Sequence, residues 1–285
     1  MNRYNRNNLP FNKEMKESWD DNGYLIIDDF YNFNECDSLI KRAELLIEDF
    51  DPNSVKSIFD TKKQEHVSDN YFLESGDKIR FFFEDKAFDS KGNLTNSKDL
   101  VINKIGHALH DLDDDFYKFS HREDLNNIAH SIGILKPLLI QSMYIFKQPN
   151  IGGEVVCHQD STFLYTQPDS AVGFWVALED ANTENGCLWV AEGGHKGPLR
   201  NLFTKENNKM KMISLDKTPF ENTTTPVVVK KGALVLLHGR LPHYSKENTS
   251  NKSRHAYTLH VIDGNTEYPK ENWLQRPNLE LKGFI

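Results

Sequence analysis

Apolar residues in the first half of the chain recur at steps of three and four, the spacing of one helix face. This pattern predicts three helices. Their apolar positions are Cys36, Leu39, Ile40, Ala43, Leu46, Ile47 and Phe50; Val101, Ile102, Ile105, Ala108, Leu109 and Leu112; and Leu125, Ile128, Ala129 and Ile132. The third helix should end at Gly133. Short apolar runs at Tyr24–Phe30 and Ile79–Phe83 predict strands, and the polar remainder of 51–100 predicts a long loop.

The second half of the chain has short apolar runs separated by turn residues. The runs are Ser142–Phe146, Ala171–Leu178, Gly186–Val190, Pro226–Val229, Ala233–Leu237 and Ala256–Ile262. Dipeptides such as Asn185-Gly186 and Lys231-Gly232 mark turns between them. Many short strands with regular turns are typical of a barrel or jelly roll. The segment 201–225, rich in asparagine and lysine, predicts an exposed loop.

We therefore predict one domain over residues 1–285, mainly β with flanking helices. Its helical part should cover about 1–135, the β core about 138–265 and a C-terminal tail 266–285. A hydrophobic content of 38% is enough for a real core, which excludes a disordered chain.

Composition narrows the function classes. A net charge of -8 argues against non-specific binding to nucleic acid or to anionic membranes. The cysteines (Cys36, Cys157 and Cys187) are odd in number and lack CxxC spacing, which argues against a disulfide framework or a zinc knuckle. With no apolar run of roughly 20 residues and no visible leader, we expect a cytoplasmic location. We expect a small-molecule substrate as partner and a monomer.

Metal-binding chemistry is indicated by His158-Gln-Asp160. In a strand, residues i and i+2 point to the same face, which would place an imidazole beside a carboxylate. These are two of the three ligands of a facial triad, which leaves iron positions open. A competing His121-Arg-Glu123 opens the helix around Leu125, where an acidic residue in the first turn has a capping explanation.

A third ligand requires a distant histidine, and His238 and His243 are the two candidates. A polar turn follows His243, and a predicted strand begins near Arg254. Such a hairpin would bring His243 close to Arg254. A guanidinium beside an iron site is suited to bind a dicarboxylate through a two-pronged ion pair. His238 has no cation at a comparable spacing, so we interpret His243 as the ligand.

The stretch from about Lys78 to Pro277 resembles the phytanoyl-CoA dioxygenase family. The matching segments, in chain order, are Ile102–His110, Gln141–Pro149, Gly152–Val155, His158–Asp160, Phe163–Thr166, Glu179–Ala181, Glu184–Trp189, Gly232–Gly239, Ser253–Thr258 and Glu271–Gln275. The resemblance implies a double-stranded β-helix core, jelly-roll and cupin-like, with iron(II), 2-oxoglutarate and O2 as the reagents of a hydroxylation.

Residue by residue, the resemblance implies iron ligands at His158, Asp160 and His243. It implies an Arg254 contact to the far carboxylate of 2-oxoglutarate. The further co-substrate residues that it implies are Lys104, Met143, Trp175 and Ser245. The family's usual Pro-Gly-Ser-His turn is replaced by Val190–His195, which leaves the role of His195 open. His238, His255 and His260 are interpreted as structural.

The expected activity is hydroxylation of a C–H bond in a small organic or acyl substrate, with release of succinate and CO2. Two alternatives use the same ligands. One is a sensor or scaffold that binds metal and 2-oxoglutarate without turnover, and the other is a cupin-like metalloenzyme that needs no oxo acid. An acyl-CoA substrate is suggested only by the family's name, and loops 51–100 and 196–225 are expected to contact the substrate.

Overall fold

Two antiparallel-rich sheets form the centre of the molecule in a computed structural model that describes residues 2–59, 69–207 and 209–285. The major sheet contains β1 (Arg3–Asn5), β2 (Tyr24–Asp28), β3 (Ile79–Phe83), β4 (Ile102–His107), β5 (Pro137–Ile145), β7 (Val172–Ala177), β12 (Leu234–His238) and β14 (Ala256–Asp263). The minor sheet contains β6 (Val155–His158), β8 (Leu188–Val190), β11 (Thr225–Val227) and β13 (His243–Ser245). A separate hairpin is formed by β9 (Asn201–Glu206) and β10 (Lys209–Ser214).

The strand order of the major sheet is β1-β2-β12-β7-β14-β5-β4-β3, and that of the minor sheet is β11-β8-β13-β6. The two sheets face each other, because Trp175 and Val235 of the major sheet pack in one buried cluster with Leu188 and Val190 of the minor sheet. Facing sheets with interleaved strand order make a jelly roll, which confirms the predicted fold class.

Helices flank the major sheet. They are α1 (Lys13–Asn22), α2 (Phe33–Asp49), α3 (Asn70–Leu73), α4 (Lys98–Val101), α5 (Leu109–Leu112), α6 (Asp114–Ser120) and α7 (Glu123–Ser131). Asn32 and Glu35 form a capping box that starts α2. Gly23 ends α1 in the left-handed conformation, which glycine adopts at low cost. Leu39 of α2 and Leu125 of α7 belong to the same buried cluster as Phe174 of the sheet.

The predictions for α2, α7, β2 and β3 and for the strands of the second half are confirmed at the level of the elements. The predicted helix 101–112 is wrong, because this segment contains α4, β4 and α5. Strand β4 lies between β3 and β5, and its residues are buried on both faces. A run that is apolar on both faces carries no clear period, so helix and strand cannot be separated by it.

Two further expectations about the chain's loops are wrong. Segment 201–225 contains the β9–β10 hairpin, held by the fully buried Phe203. His243 and Arg254 are not partners in a hairpin, because β13 pairs with β6 and β8 while β14 pairs with β5 and β7. Within 51–100 the structure adds α3 and α4, and the expectation for 60–68 lies outside the described residues.

The first 135 residues also contribute β1 to β4 to the major sheet, which links the helical part to the β core. The division of the chain into one domain stays a prediction. Among the residues that the structure describes, no helix is both long and apolar enough to cross a bilayer.

Candidate metal and co-substrate site

His158 and His243 lie opposite each other on the neighbouring strands β6 and β13. Their ring centroids are 4.3 Å apart. In each residue, Nδ1 contacts the backbone carbonyl two positions earlier: Val156 O at 2.8 Å for His158 and Leu241 O at 2.9 Å for His243. A carbonyl only accepts, so Nδ1 carries the hydrogen in both rings. Both Nε2 atoms therefore present lone pairs, as metal-binding imidazoles do.

Asp160 completes a group whose three ligand atoms all lie within 4.8 Å of one another. Its Oδ1 is 3.5 Å from His158 Nε2 and 3.6 Å from His243 Nε2. Burial alone would raise the pKa of this carboxyl, but the neighbouring imidazoles His243 and His260 lower it well below its usual range. Two nitrogen lone pairs and one carboxylate oxygen fit the donor set of non-haem iron(II).

The local backbone at Asp160 differs from the expectation of one continuous strand. Strand β6 ends at His158, and Asp160 starts a 3-10 turn over Asp160–Thr162. Between the two, Gln159 faces the opposite way. Its amide donates to Pro198 O at 3.1 Å and to Arg240 O at 2.7 Å. Gln159 thereby connects the two loops behind the triad and fixes the turn.

Arg254 is buried beside Ser245, with 2% of its surface exposed. Its Nε donates to Gly186 O at 3.1 Å and its Nη2 to Ser245 Oγ at 3.3 Å. Among the residues that the structure describes, its Nη1 has no hydrogen-bond partner, and the guanidinium lies 5.5 Å from the Trp175 ring centroid. Burial lowers the pKa of Arg254 to about 10. A buried guanidinium with a free donor is suited to a carboxylate ligand.

Lys104 is a second buried cation, located on β4 rather than on a helix. Its Nζ is 3.6 Å from Met143 Sδ and 3.4 Å from the Phe59 ring centroid. Within the described residues, no carboxylate lies within ion-pair distance of this ammonium. Burial lowers the pKa of Lys104 to about 7. An anionic ligand would supply the missing countercharge.

The sheet register connects these co-substrate residues. Met143 is opposite Thr258, and Thr258 is opposite Trp175. Lys104 touches Met143 at one end of this row, and Arg254 lies over Trp175 at the other. Four of the five residues expected to bind 2-oxoglutarate are thus connected along this row, and Ser245 of the minor sheet joins them through its hydrogen bond with Arg254.

Other histidines singled out in the sequence lie elsewhere. His195 Nε2 donates to Asp20 O at 3.2 Å, and its ring centroid is 5.0 Å from that of His238. Both line a cavity of about 340 Å³ beside α1, apart from the triad. His121 ends α6 and Glu123 starts α7, as expected for a structural pair.

His260, which the sequence pattern indicates to be structural, lies beside Asp160 of the triad. Its Nε2 lies 3.3 Å from Asp160 Oδ2. His260 is six positions after Arg254 (260 minus 254) and lies within β14, whereas Arg254 precedes the first residue of that strand. Side chains alternate between the two faces along β14. The inward position of His260 therefore follows once the register of this strand in the sheet is known.

The family description "Phytanoyl-CoA dioxygenase (PhyH)" matches residues 19–256. The chain belongs to the phytanoyl-CoA dioxygenase family. A relative named phytanoyl-CoA dioxygenase from Arabidopsis thaliana is 46% identical over 258 residues, covering 90% of this chain and 91% of the relative. The phytanoyl-CoA dioxygenase domain-containing protein 1 of Danio rerio is 44% identical over 266 residues, with 90% and 91% covered.

Solved structures with similar folds include the epimerase SnoN in complex with Fe3+, alpha ketoglutarate and nogalamycin RO. It is 14% identical, covers 96% of this chain and 93% of its own, and has a TM-score of 0.65. EctD from S. alaskensis with 2-oxoglutarate and 5-hydroxyectoine is 17% identical, with 98% and 86% covered and a TM-score of 0.64. At these identities the similarity shows the fold alone, and membership in a family of dioxygenases comes from the sequence comparisons.

Proposed function

We propose that this protein is an iron(II)- and 2-oxoglutarate-dependent dioxygenase that hydroxylates a C–H bond of a small organic or acyl substrate. The observation that carries the proposal is the convergence of two imidazole lone pairs and a carboxylate oxygen within 4.8 Å, beside a buried guanidinium whose Nη1 has no partner among the described residues. Iron(II) bound there would couple O2 and the decarboxylation of 2-oxoglutarate, giving succinate and CO2, to insertion of one oxygen atom into the substrate.

The three triad residues would hold the metal ion. His158 and His243 keep their Nδ1 hydrogens on backbone carbonyls, so both Nε2 atoms remain lone-pair donors. Asp160 supplies one negative charge, and its low pKa keeps it ionised at neutral pH. Three protein ligands on one face leave the opposite positions for co-substrate and oxygen.

Arg254 and Lys104 orient the co-substrate. Arg254 is held in place by Gly186 and Ser245, so its free Nη1 is preorganised for a carboxylate oxygen. Burial removes water from this ion pair and strengthens it. Trp175 and Met143 form the walls, which fix the position of the carbon chain of a bound 2-oxo acid.

The substrate side of the site is aromatic. Phe163 makes an edge contact with His158, with ring centroids 6.0 Å apart, and Phe203 of the β9–β10 hairpin packs on Phe163 at 5.8 Å. An apolar carbon beside the metal would pack against these rings. Relatives bear the name of phytanoyl-CoA dioxygenase, and an acyl-CoA is accordingly one member of the substrate panel to test.

The decisive experiment measures succinate released from 2-oxoglutarate by purified, iron-loaded protein, with and without a panel of acyl and small organic compounds. We expect release above the background of iron alone, increased by a true substrate. The Asp160→Ala variant should release none. The matched control is Glu123→Ala, the exposed acidic residue of the second His-x-acid motif, which should keep the wild-type rate.

The same experiment separates the alternatives. Tight binding of metal and 2-oxoglutarate with no succinate under any condition would favour the sensor or scaffold. Conversion of a substrate without 2-oxoglutarate, at the same rate in Arg254→Met as in the wild-type protein, would favour a metalloenzyme that needs no oxo acid. The cytoplasmic location and the monomeric state stay predictions, to be checked by fractionation and by light scattering.

A further inference from the structure

The two carboxylate oxygens of Asp160 have different surroundings. Oδ1 faces the ring nitrogens of His158 and His243, at 3.5 and 3.6 Å. Oδ2 points away from them toward the inner face of the major sheet, where it is 3.3 Å from His260 Nε2. One oxygen is therefore available to a metal, and the other is contacted by a residue that is not a member of the triad.

His260 is suited to donate to this oxygen. It lies on β14 between β5 and β7, and its side chain is 7% exposed. An ionised carboxylate only accepts hydrogen bonds, so the Nε2 of His260 would carry the hydrogen in this contact. Its Nδ1 is buried and has no hydrogen-bond partner, so nothing else in the described structure fixes the opposite tautomer.

Gly173 lies next to Asp160 Oδ2. It is directly opposite His260 in the β7–β14 pairing. A Cβ atom placed on Gly173 would be 3.2 Å from Asp160 Oδ2 and 3.8 Å from His260 Cδ2. The first distance is tighter than ordinary van der Waals contact, so a side chain at this position would push on the carboxylate. Glycine at position 173 leaves the room in which Oδ2 lies.

We propose that His260 is a positioning residue, which together with Gly173 holds Asp160 Oδ2 so that Asp160 binds the metal through Oδ1 alone. This inference rests on the proposed function. A carboxylate that chelated the metal through both oxygens would occupy a position that the co-substrate or oxygen needs. His260 competes for the second oxygen and keeps that position open.

The hydrogen bond from His260 is compatible with metal binding by the triad. The Nε2 atoms of His158 and His243 present lone pairs and cannot donate to Asp160. Within the described part of the chain, His260 is the remaining side-chain donor within reach of this carboxylate. Outer hydrogen bonds to metal ligands commonly contribute a factor of about 10–100 to metal affinity.

The test compares His260→Leu, His260→Gln and Gly173→Ala with wild type. Leucine removes the donor, whereas the glutamine amide restores an N–H at a similar reach. Tyr257→Phe is the matched control, because it deletes a buried 2.9 Å hydrogen bond to Ser120 from the other face of the same strand. Mn2+ affinity is measured by electron paramagnetic resonance, and the visible charge-transfer absorption of the anaerobic iron–2-oxoglutarate complex is recorded.

For His260→Leu we expect a fall of about 10–100-fold in Mn2+ affinity or loss of the charge-transfer absorption. His260→Gln should recover most of both signals, Gly173→Ala should lose them, and Tyr257→Phe should match wild type. Wild-type values of both signals in His260→Leu would overturn the proposal. So would equal losses in His260→Leu and His260→Gln, or losses as large in Tyr257→Phe.

Should His260→Leu fail to fold, thermal unfolding of the metal-free protein will show it, and Gly173→Ala then decides, with wild-type signals in that variant counting against the proposal. Failure of the wild-type protein itself to bind Mn2+ is a different outcome, since it contradicts the proposed function before any variant is compared.

Discussion

Arg254 is a buried guanidinium with a free donor, so loss of its charge should impair ligand binding more than folding. In Arg254→Met we expect 2-oxoglutarate affinity to fall by about 2–5 kcal/mol, roughly 30-fold or more. Metal affinity should stay within a few-fold of wild type. Calorimetric titration of the Mn2+-loaded protein checks this. Lys246→Met removes an exposed cation eight residues earlier (254 minus 246) and should leave both affinities unchanged.

Lys104 gives a prediction about pH. Its folded pKa of about 7 lies below its unfolded value, so between these two values the unfolded chain binds more protons. The stability of the ligand-free protein therefore rises with pH through this window, as the buried charge is lost. Lys104→Met should raise the melting temperature by several degrees at pH 6, and the gain should shrink toward pH 10.

Thermal unfolding across pH 6 to 10 measures this gain. Lys118→Met, which changes an exposed lysine, serves as control. A gain that is constant across the range would contradict the burial of an uncompensated ammonium at Lys104.

At the scale of single residues, much of the proposed site could be predicted from the sequence. His158, Asp160 and His243 were selected from motif and order, and the structure brings them together. The sequence predicts Arg254 near His243 because of a hairpin that the structure does not contain. Arg254 nevertheless lies beside Ser245, and Ser245 is two residues after His243. His260 was not selected, because its role depends on which strand pairs with β14 and in which register, and no local pattern specifies that.

At the scale of elements, the β9–β10 hairpin offers a direct test. Phe203 is fully buried and packs on Phe163, which contacts His158. Phe203→Ala should cost about 3–5 kcal/mol of unfolding free energy, because the cavity left there is lined by side chains that cannot fully collapse. Chemical denaturation measures the loss.

The comparison for Phe203 is Leu215→Ala, which removes an exposed apolar side chain just after the hairpin. Its effect should stay within about 0.5 kcal/mol. Similar costs for the two variants would mean that the hairpin does not pack on the aromatic side of the site.

The sequence predicts correctly those elements in which apolar residues recur with a clear helix or strand period, but not those in which they do not. The capping box and the apolar face of α2 are local features, and α2 was predicted correctly. Strand β4 is buried on both faces, and its conformation is determined by pairing with β3 and β5 rather than by a local sequence pattern. Strand β9 has no regular alternation, and the Lys–Met alternation of β10 is short, covering Lys209–Met212.

At the scale of the whole molecule, the C-terminal tail is joined to the helical part by a buried charge network. The Asp111 side chain is fully buried, pairs with Arg276, and contacts His110 at 3.2 Å and Lys282 at 3.4 Å. Burial alone would raise the pKa of Asp111, but His110 and Arg276 lower it well below its usual range.

Removal of Arg276 should therefore be strongly destabilising. Arg276→Met leaves Asp111 with fewer partners in the interior, and we expect a loss of about 3–5 kcal/mol at neutral pH. Because the folded pKa of Asp111 is depressed, its stabilisation is complete above its unfolded value and is lost as pH falls below about 4. The difference from wild type should shrink in acid. Lys270→Met, at an exposed tail position, should show no such dependence.

The position of Asp160 has a consequence for the architecture. His158 and His243 belong to the minor sheet, whereas the carboxylate of Asp160 lies against Gly173 and His260 of the major sheet. An ion held by all three would be a cross-link between the two layers, at an edge where β6 has β13 as its partner. Removal of the ion by a chelator should then accelerate amide hydrogen exchange in β6 and β13, while β12 stays protected. The exchange rate of the edge strand β6 would therefore report whether the ion is bound.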